Sequence, residues 1–292
     1  MEQRKNNLFI TEILSRAFNL CIDNFVEILK VLGIFIAPAL IVPIILFSTI
    51  FATVAIGSSI YSYSSSYIDS IFATLGIGTI LIFMLIFLAV GIIALFGSLV
   101  IIKLLDDANK GNEVSWKSAT RYVWNKKWGA LGLNILVYLM FILAIIVLMI
   151  LFLILSFITL GIGLIILIPL FIAIIVVASP LLYLFNSTFL VRDLGITDSI
   201  RETFLLFRKG YFWSTIGRLA AISGISIGCG VVLALFQLIP IIGIIAATIG
   251  QYIVLSYVSA YLNIFVLDRS KPDIDNFGGN DMLGDSFIDP IN

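Results

Sequence analysis

The chain lacks histidine altogether, has only two cysteines, and carries little charge: 17 Lys+Arg and 17 Asp+Glu make up 12% of its 292 residues. Without imidazole there is no histidine general base, no histidine-based triad and no histidine ligand for zinc. Cys21 and Cys229 form no CxxC pair and no disulfide framework, so both read as small buried apolar residues. An ordinary soluble domain is about 25% charged, and the shortage here excludes one. A hydrophobic share of 61% and an aromatic share of 13% exclude a disordered chain. Carboxylates are missing from the long apolar stretches too, which argues against proton coupling inside a membrane. No catalytic residue, cofactor or metal is expected, no nucleic-acid partner either, and the chain is expected not to be an enzyme.

What is present is hydrocarbon-compatible sequence. Charge-free runs cover 31–68, 70–102, 128–191 and 219–267. A helix needs about 20 apolar residues to cross a bilayer core of about 30 Å. The run 128–191 would be about 96 Å long as one helix, so it must fold back. The reversal fits Ser156–Gly163, where hydroxyls and glycines allow a turn. The run 219–267 reverses around Pro240 and Gly243, since proline cannot continue a helix without losing a hydrogen bond. The sequence therefore predicts an all-α polytopic membrane protein with six spans, at about 31–56, 72–102, 129–155, 163–186, 213–238 and 243–267. The membrane domain is 1–267, and the acidic tail 268–292 is expected to be disordered. The first 30 residues lack the pattern of a cleaved signal.

The charges are sided. All 17 basic residues fall in the N-terminal segment, in the segments between spans two and three and between spans four and five (with Arg218 just inside span five), or in the tail. Of the acids only Asp69 lies on the other side. By the positive-inside bias both termini face the cytoplasm of a cell membrane. Lys30, Lys126, Lys127, Arg208, Lys209 and Arg218 are the candidate contacts to anionic lipid headgroups, each contributing about 1 kcal/mol near the surface. Lys30 and Arg218 sit about one turn inside their spans and are expected to snorkel outward.

A repeat is also present. Ile10–Phe25 aligns with Ile196–Tyr211 at a shift of 186, pairing Ile10/Ile196, Thr11/Thr197, Glu12/Asp198, Phe18/Phe204 and Leu20/Leu206. Val114–Trp128 matches more weakly and needs a gap. Each copy precedes a helical hairpin, so the chain reads as three quasi-repeats of amphipathic helix plus two spans. Apolar residues at 10, 13, 14, 17, 18, 21 and 25 keep one helical stripe. Thr11, Ser115 and Thr197 are the expected N-caps. Within the spans, Asn134, Gln237, Gln251 and Asn263 are expected to hydrogen-bond between helices. Pro38, Pro43, Pro169 and Pro180 are expected to bend them. Gly224-x-x-x-Gly228 has close-packing spacing, and Asn186-Ser-Thr188 is a sequon expected to be unused near the cytoplasmic face.

The segment Ile196-Thr-Asp-Ser-Ile-Arg-Glu-Thr-Phe-Leu-Leu-Phe-Arg-Lys-Gly-Tyr-Phe-Trp-Ser-Thr-Ile-Gly217 resembles a recurrent segment of the glycerophosphoryl diester phosphodiesterase membrane domain and its uncharacterised six-span relatives. The run Tyr261–Asp273 is similar to the way those proteins leave their last span. In that family hydrolysis belongs to a separate soluble domain that uses acidic and histidine residues. The resemblance thus implies the membrane part alone and carries no catalytic residue onto this chain. The expected role is a non-enzymatic membrane scaffold or regulatory component, with membrane lipids and a membrane-protein partner or a second copy as partners. The alternative is a permease or lipid transporter with a site between repeats.

The topology is open to direct measurement. In a chain carrying Cys21→Ala and Cys229→Ala, a Ser64→Cys thiol should react with a membrane-impermeant maleimide from outside intact cells. Reaction from the cytoplasmic side alone would reverse the orientation.

Overall fold

The computed structural model describes residues 8–38, 65–159, 164–208, 211–239 and 242–270, together with positions 41, 42, 45 and 48. Every regular element among these residues is helical and none is a strand. In chain order they are α1 (Ile10–Asp23), α2 (Phe25–Val31), α3 (Ser65–Asn109), α4 (Trp116–Asn125), α5 (Lys127–Ile158), α6 (Leu164–Val191), α7 (Ile196–Leu205), α8 (Phe212–Phe236) and α9 (Ile242–Ser270). Among the described residues four stretches are long and apolar enough to cross a membrane: Leu81–Asn109, Lys127–Ile158, Phe212–Phe236 and Ile245–Arg269. Ala178–Val191 is a shorter apolar stretch within α6. Most of the first predicted span, 31–56, lies outside the described residues, as do Pro43 and the tail beyond Ser270.

Boundaries moved in four helices. Helix α3 already begins at Ser65, so Asp69, expected in a loop, lies within helix. Helix α9 runs to Ser270, which takes Asp268 and Arg269 out of the expected tail. Thr11 and Thr197 are inside their helices, where Phe9 and Gly195 hold the N-cap positions. Ser115 is an N-cap by position, but its side chain makes no capping bond.

The turns follow local chemistry. Helix α3 ends in a Schellman motif: Gly111 has φ +73°, Gly111 N–H donates to the Ala108 carbonyl at 3.1 Å, and Asn112 N–H donates to that of Asp107 at 2.9 Å. Of the expected reversals, the first lies outside the described residues beyond Thr159, where α5 has ended, and at the second α8 ends at Phe236 and α9 begins at Ile242, with Pro240 outside the described residues. A Cβ at Gly243 would fall on the Phe236 carbonyl oxygen, so the second reversal requires glycine there. The GxxxG glycines are different. A Cβ at Gly224 or Gly228 would meet nothing within 4 Å among the described residues, so they bring no described helix close.

Prolines are accommodated in two ways. Before Pro38 the helix opens into a π-turn, Leu32–Ile36, with Ala37 N–H donating to the Leu32 carbonyl. That widening relieves the pressure of the proline ring on the preceding turn. In α6, Pro180 leaves the Val176 carbonyl without its usual backbone donor, and Ser179 Oγ donates to it at 3.0 Å.

Helices α3, α6 and α9 meet one another, and α8 packs on both α6 and α9. The buried residues concentrate at one end, in Phe96–Asp106, Ala130–Val137, Leu184–Val191, Thr215–Ser223 and Ser256–Asp268. The far halves of α5 and α8 are largely exposed, as lipid-facing helices would be. Helix α9 is central, and its Ser256, Ser259 and Ala260 let neighbouring backbones approach. Each short amphipathic helix buries a pair four residues apart: Ile13/Ala17 in α1, Ala119/Val123 in α4 and Ser199/Thr203 in α7. Helix α4 packs on α3, α7 on α6, and α1 on α9.

Polar groups tie the packed end together. Asn134 Nδ2 donates to Asn186 Oδ1 at 2.9 Å, and Asn186 Nδ2 donates back to Asn134 Oδ1 at 3.1 Å. Asn263 Nδ2 donates to the Ile102 carbonyl at 2.8 Å. Of the four polar residues expected to bridge helices, Asn134 and Asn263 thus do so, while Gln237 and Gln251 are exposed. Asn186, singled out only as part of a sequon, is buried in the first of these pairs.

Arg218 makes the deepest tie. It is 5% exposed, its Nη1 lies 3.0 Å from Asp268 Oδ2, and its Nη2 donates to the Leu8 carbonyl at 2.9 Å. The guanidinium also sits over the Phe265 ring, 5.5 Å from its centroid. This corrects the expectation that Arg218 snorkels to headgroups: its donors are committed to α9 and to the chain before α1. Deleting one partner of a buried pair strands the other charge, at a cost of about 3–5 kcal/mol. Arg218→Gln should therefore lower the thermal unfolding temperature in detergent well below wild type. The double variant Arg218→Gln, Asp268→Asn should recover part of that loss.

Candidate functional site

The packed end carries the charged surface, and it is built from the turns between spans. Helix α3 presents Lys103, Asp106 and Asp107, and Lys110 follows directly after its end. Lys103 Nζ lies 3.2 Å from Asp106 and 2.9 Å from Asp107, and Lys110 Nζ lies 2.8 Å from Asp106. Lys110 also donates to the Val191 carbonyl at 2.9 Å, joining α3 to the end of α6.

Beyond that carbonyl stands Asp193, with φ 57°, the non-glycine residue with positive φ among the described residues. Leu194 N–H donates to the Phe189 carbonyl at 3.2 Å, so Asp193 occupies the left-handed position that usually takes glycine. Aspartate tolerates that conformation better than most residues. Its carboxylate accepts from Lys126 Nζ and from the Tyr122 hydroxyl, which ties α4 to the α6 terminus. Lys126 and Tyr122, in that order, hold the Asp193 carboxyl below the usual carboxylate range. Burial and then Asp193 push the Tyr122 phenol up. At the first amphipathic helices, Glu27 pairs with Lys30 and accepts from Trp116 N–H at 3.1 Å. The Lys30 hydrogen bond, then that of Trp116, holds the Glu27 carboxyl down. Arg192 pairs with Glu202. Cys21 in α1 is free and half-buried, and burial pushes its thiol up to about 12, which disfavours the thiolate.

Several cations remain outside these pairs. Arg16, Lys117, Arg121, Arg201 and Arg208 are exposed and form no ion pair among the described residues. Lys117 and Arg121 line a shallow groove of about 720 Å³ with Glu113, Ser115, Ser118, Tyr122 and Asn125. Large aromatics are exposed too: Trp128 is 76% and Trp213 80% exposed, and Phe9, Phe18 and Trp124 are exposed as well. Lys127 lies over the Trp124 ring at 4.5 Å and near that of Trp128 at 6.0 Å. Rings of this kind with cations alongside match a membrane–water interface.

The six candidate headgroup residues thus divide. Lys127 and Arg208 lie at this surface, Lys30 and Lys126 are engaged with carboxylates, Arg218 is buried, and Lys209 is outside the described residues. Sequence reading missed Lys117 and Arg121, although their signal was available. They sit on the helical face opposite the buried Ala119 and Val123. The Asp193 latch had no such signal, because nothing local announces a left-handed aspartate.

Compared with known proteins, the chain matches no family model, and no curated protein or solved structure shows significant similarity to it.

The latch has a defined pH window. A carboxylate held low stabilises the fold above its ordinary titration range, and that contribution fades as pH falls through the lowered value. Asp193 is mostly exposed, so the effect is small, below about 1 kcal/mol. Asp193→Asn preserves the turn and should lower the unfolding temperature slightly near neutral pH. The gap from wild type should narrow as pH is taken from about 6 to about 3. A gap that widened on acidification would contradict this latch.

Proposed function

We propose that the chain is a six-span protein of the cell membrane, both termini cytoplasmic, acting as a non-enzymatic scaffold or regulatory component. Its charged end forms a platform on the inner leaflet. The observation that carries this reading is that exposed cations with no ion pair among the described residues share the packed end with exposed tryptophans and phenylalanines. Such a surface combines apolar insertion with attraction to anionic headgroups.

The three-repeat reading draws support from the packing. Each amphipathic helix rests on the second span of the unit before it, and α1 rests on α9, as a closed ring of three units requires. The second spans α3, α6 and α9 meet inside that ring. The likeness to the glycerophosphoryl diester phosphodiesterase membrane domain rests on the segments 196–217 and 261–273 and bears on the membrane part only. A second reading, a permease or lipid transporter, is favoured by a polar pocket between α6, α8 and α9.

Anionic phosphatidylglycerol should raise the unfolding temperature of the detergent-solubilised protein more than zwitterionic phosphatidylcholine does. The variant Lys117→Gln, Arg121→Gln, Arg208→Gln should weaken the response to the anionic lipid by about tenfold or more in the concentration required. Equal responses to the two lipids, or an unchanged variant, would sink the platform.

A further inference from the structure

Between α6, α8 and α9 lies a pocket of about 240 Å³, lined by Ser179, Pro180 and Tyr183, by Ile222, Ser223 and Ser226, and by Gln251, Leu255 and Val258. Measured along the helices from the charged end at about 1.5 Å per residue, Ser179 and Ser223 are both roughly 16–18 Å in. That depth is near the middle of a hydrocarbon layer of about 30 Å. Five of the nine lining residues are polar and none is charged.

Two features need an explanation beyond packing. The Ser223 hydroxyl is buried, 3% exposed as a residue, and has no hydrogen-bond partner among the described residues. Ser256, Ser259, Thr188 and Thr203 each donate to the carbonyl four residues back, whereas Ser223 shares its unpartnered state with Ser187 and alone of the two lines this pocket. A buried polar group left unsatisfied costs about 1–3 kcal/mol. The second feature is the mouth, where Ser179 and Gln251 are exposed on α6 and α9 within apolar stretches. An amide facing acyl chains is unfavourable unless something polar meets it.

From these residues we infer that the pocket is a binding site for an uncharged, hydroxyl-bearing group of about glycerol size, reached from the side through the acyl region. Hydroxyls and a carboxamide both donate and accept, so they match a ligand whose hydroxyls do the same. The absence of any charged lining residue disfavours an ion, which at this depth would cost several kcal/mol without a counter-charge. A volume of about 240 Å³ exceeds the roughly 150 Å³ that accommodates a benzene-sized molecule. The apolar walls, Ile222, Leu255 and Val258, suit the start of an acyl chain. The same chemistry has two sources: the head of an uncharged lipid such as diacylglycerol, or a free small polyol. The site requires only that these helices cross a membrane, and it stands whether or not the charged end recruits anything.

The test uses the full chain in phosphatidylcholine nanodiscs with a diazirine-bearing diacylglycerol. Cross-links should map to peptides containing Ser179–Tyr183 or Ile222–Ser226. Ser226→Leu, which fills the half-buried side of the pocket, should reduce labelling about fivefold or more, and Ser223→Ala should reduce it less. Gln251→Leu supplies a second filled variant at an exposed position, should Ser226→Leu not elute as wild type. Competition by unlabelled diacylglycerol alone assigns a lipid, and competition by glycerol as well assigns a polyol. Either result supports the site. Labelling that misses these peptides, or that persists in a folded filled variant, overturns it.

Discussion

A charged side chain at the centre of a bilayer costs at least about 2.5–3.5 kcal/mol, and the distribution of charge in this chain follows from that penalty. The long helices are free of ions through their apolar lengths, and the charges gather where the helices end. Gathering them creates a second problem, because crowded charges lose hydration as the bundle packs. The structure answers with pairing. Asp106 is fully buried yet faces Lys103 and Lys110, and Arg218 is buried against Asp268. The ions that keep the helices from sliding through the membrane are thus also the ones that fasten helix to helix.

Packing is accordingly uneven along the helix axes. Near the charged end, contacts combine apolar burial, amide pairs and ion pairs. Toward the other end, α5 and α8 present mostly exposed apolar surface. Lipid tails are as apolar as leucine, so little drives those halves together. The pocket between α6, α8 and α9 lies at the transition, where tight packing gives way but polar residues persist.

The fold was legible in the sequence where the physics is one-dimensional. Apolar length set the helices, Gly243 marked the start of α9 after the second reversal, and the spacing of Ile13 and Ala17 set the buried stripe of α1. What was not legible depended on partners distant in sequence. Arg218 looked like a snorkelling residue because Asp268 is 50 residues away and looked like part of a loose tail. Asn186 looked like part of a sequon because its partner, Asn134, is 52 residues away. Caps also misled: Thr11 and Thr197 had suitable chemistry, but the helices begin before them. At the candidate surface, charge alone pointed to Lys127 and Arg208 as candidates, whereas Lys117 and Arg121 needed the orientation of α4.

The placement of the aromatics has one more consequence. The chain has four tryptophans, and Trp116, Trp124, Trp128 and Trp213 all belong to the charged end. The far side of the molecule has no indole. The tryptophan fluorescence of the protein is therefore the signal of one end of the bundle. A quencher confined to that end darkens the emission, and one confined to the far end leaves it unchanged. The molecule carries an optical marker of its own orientation.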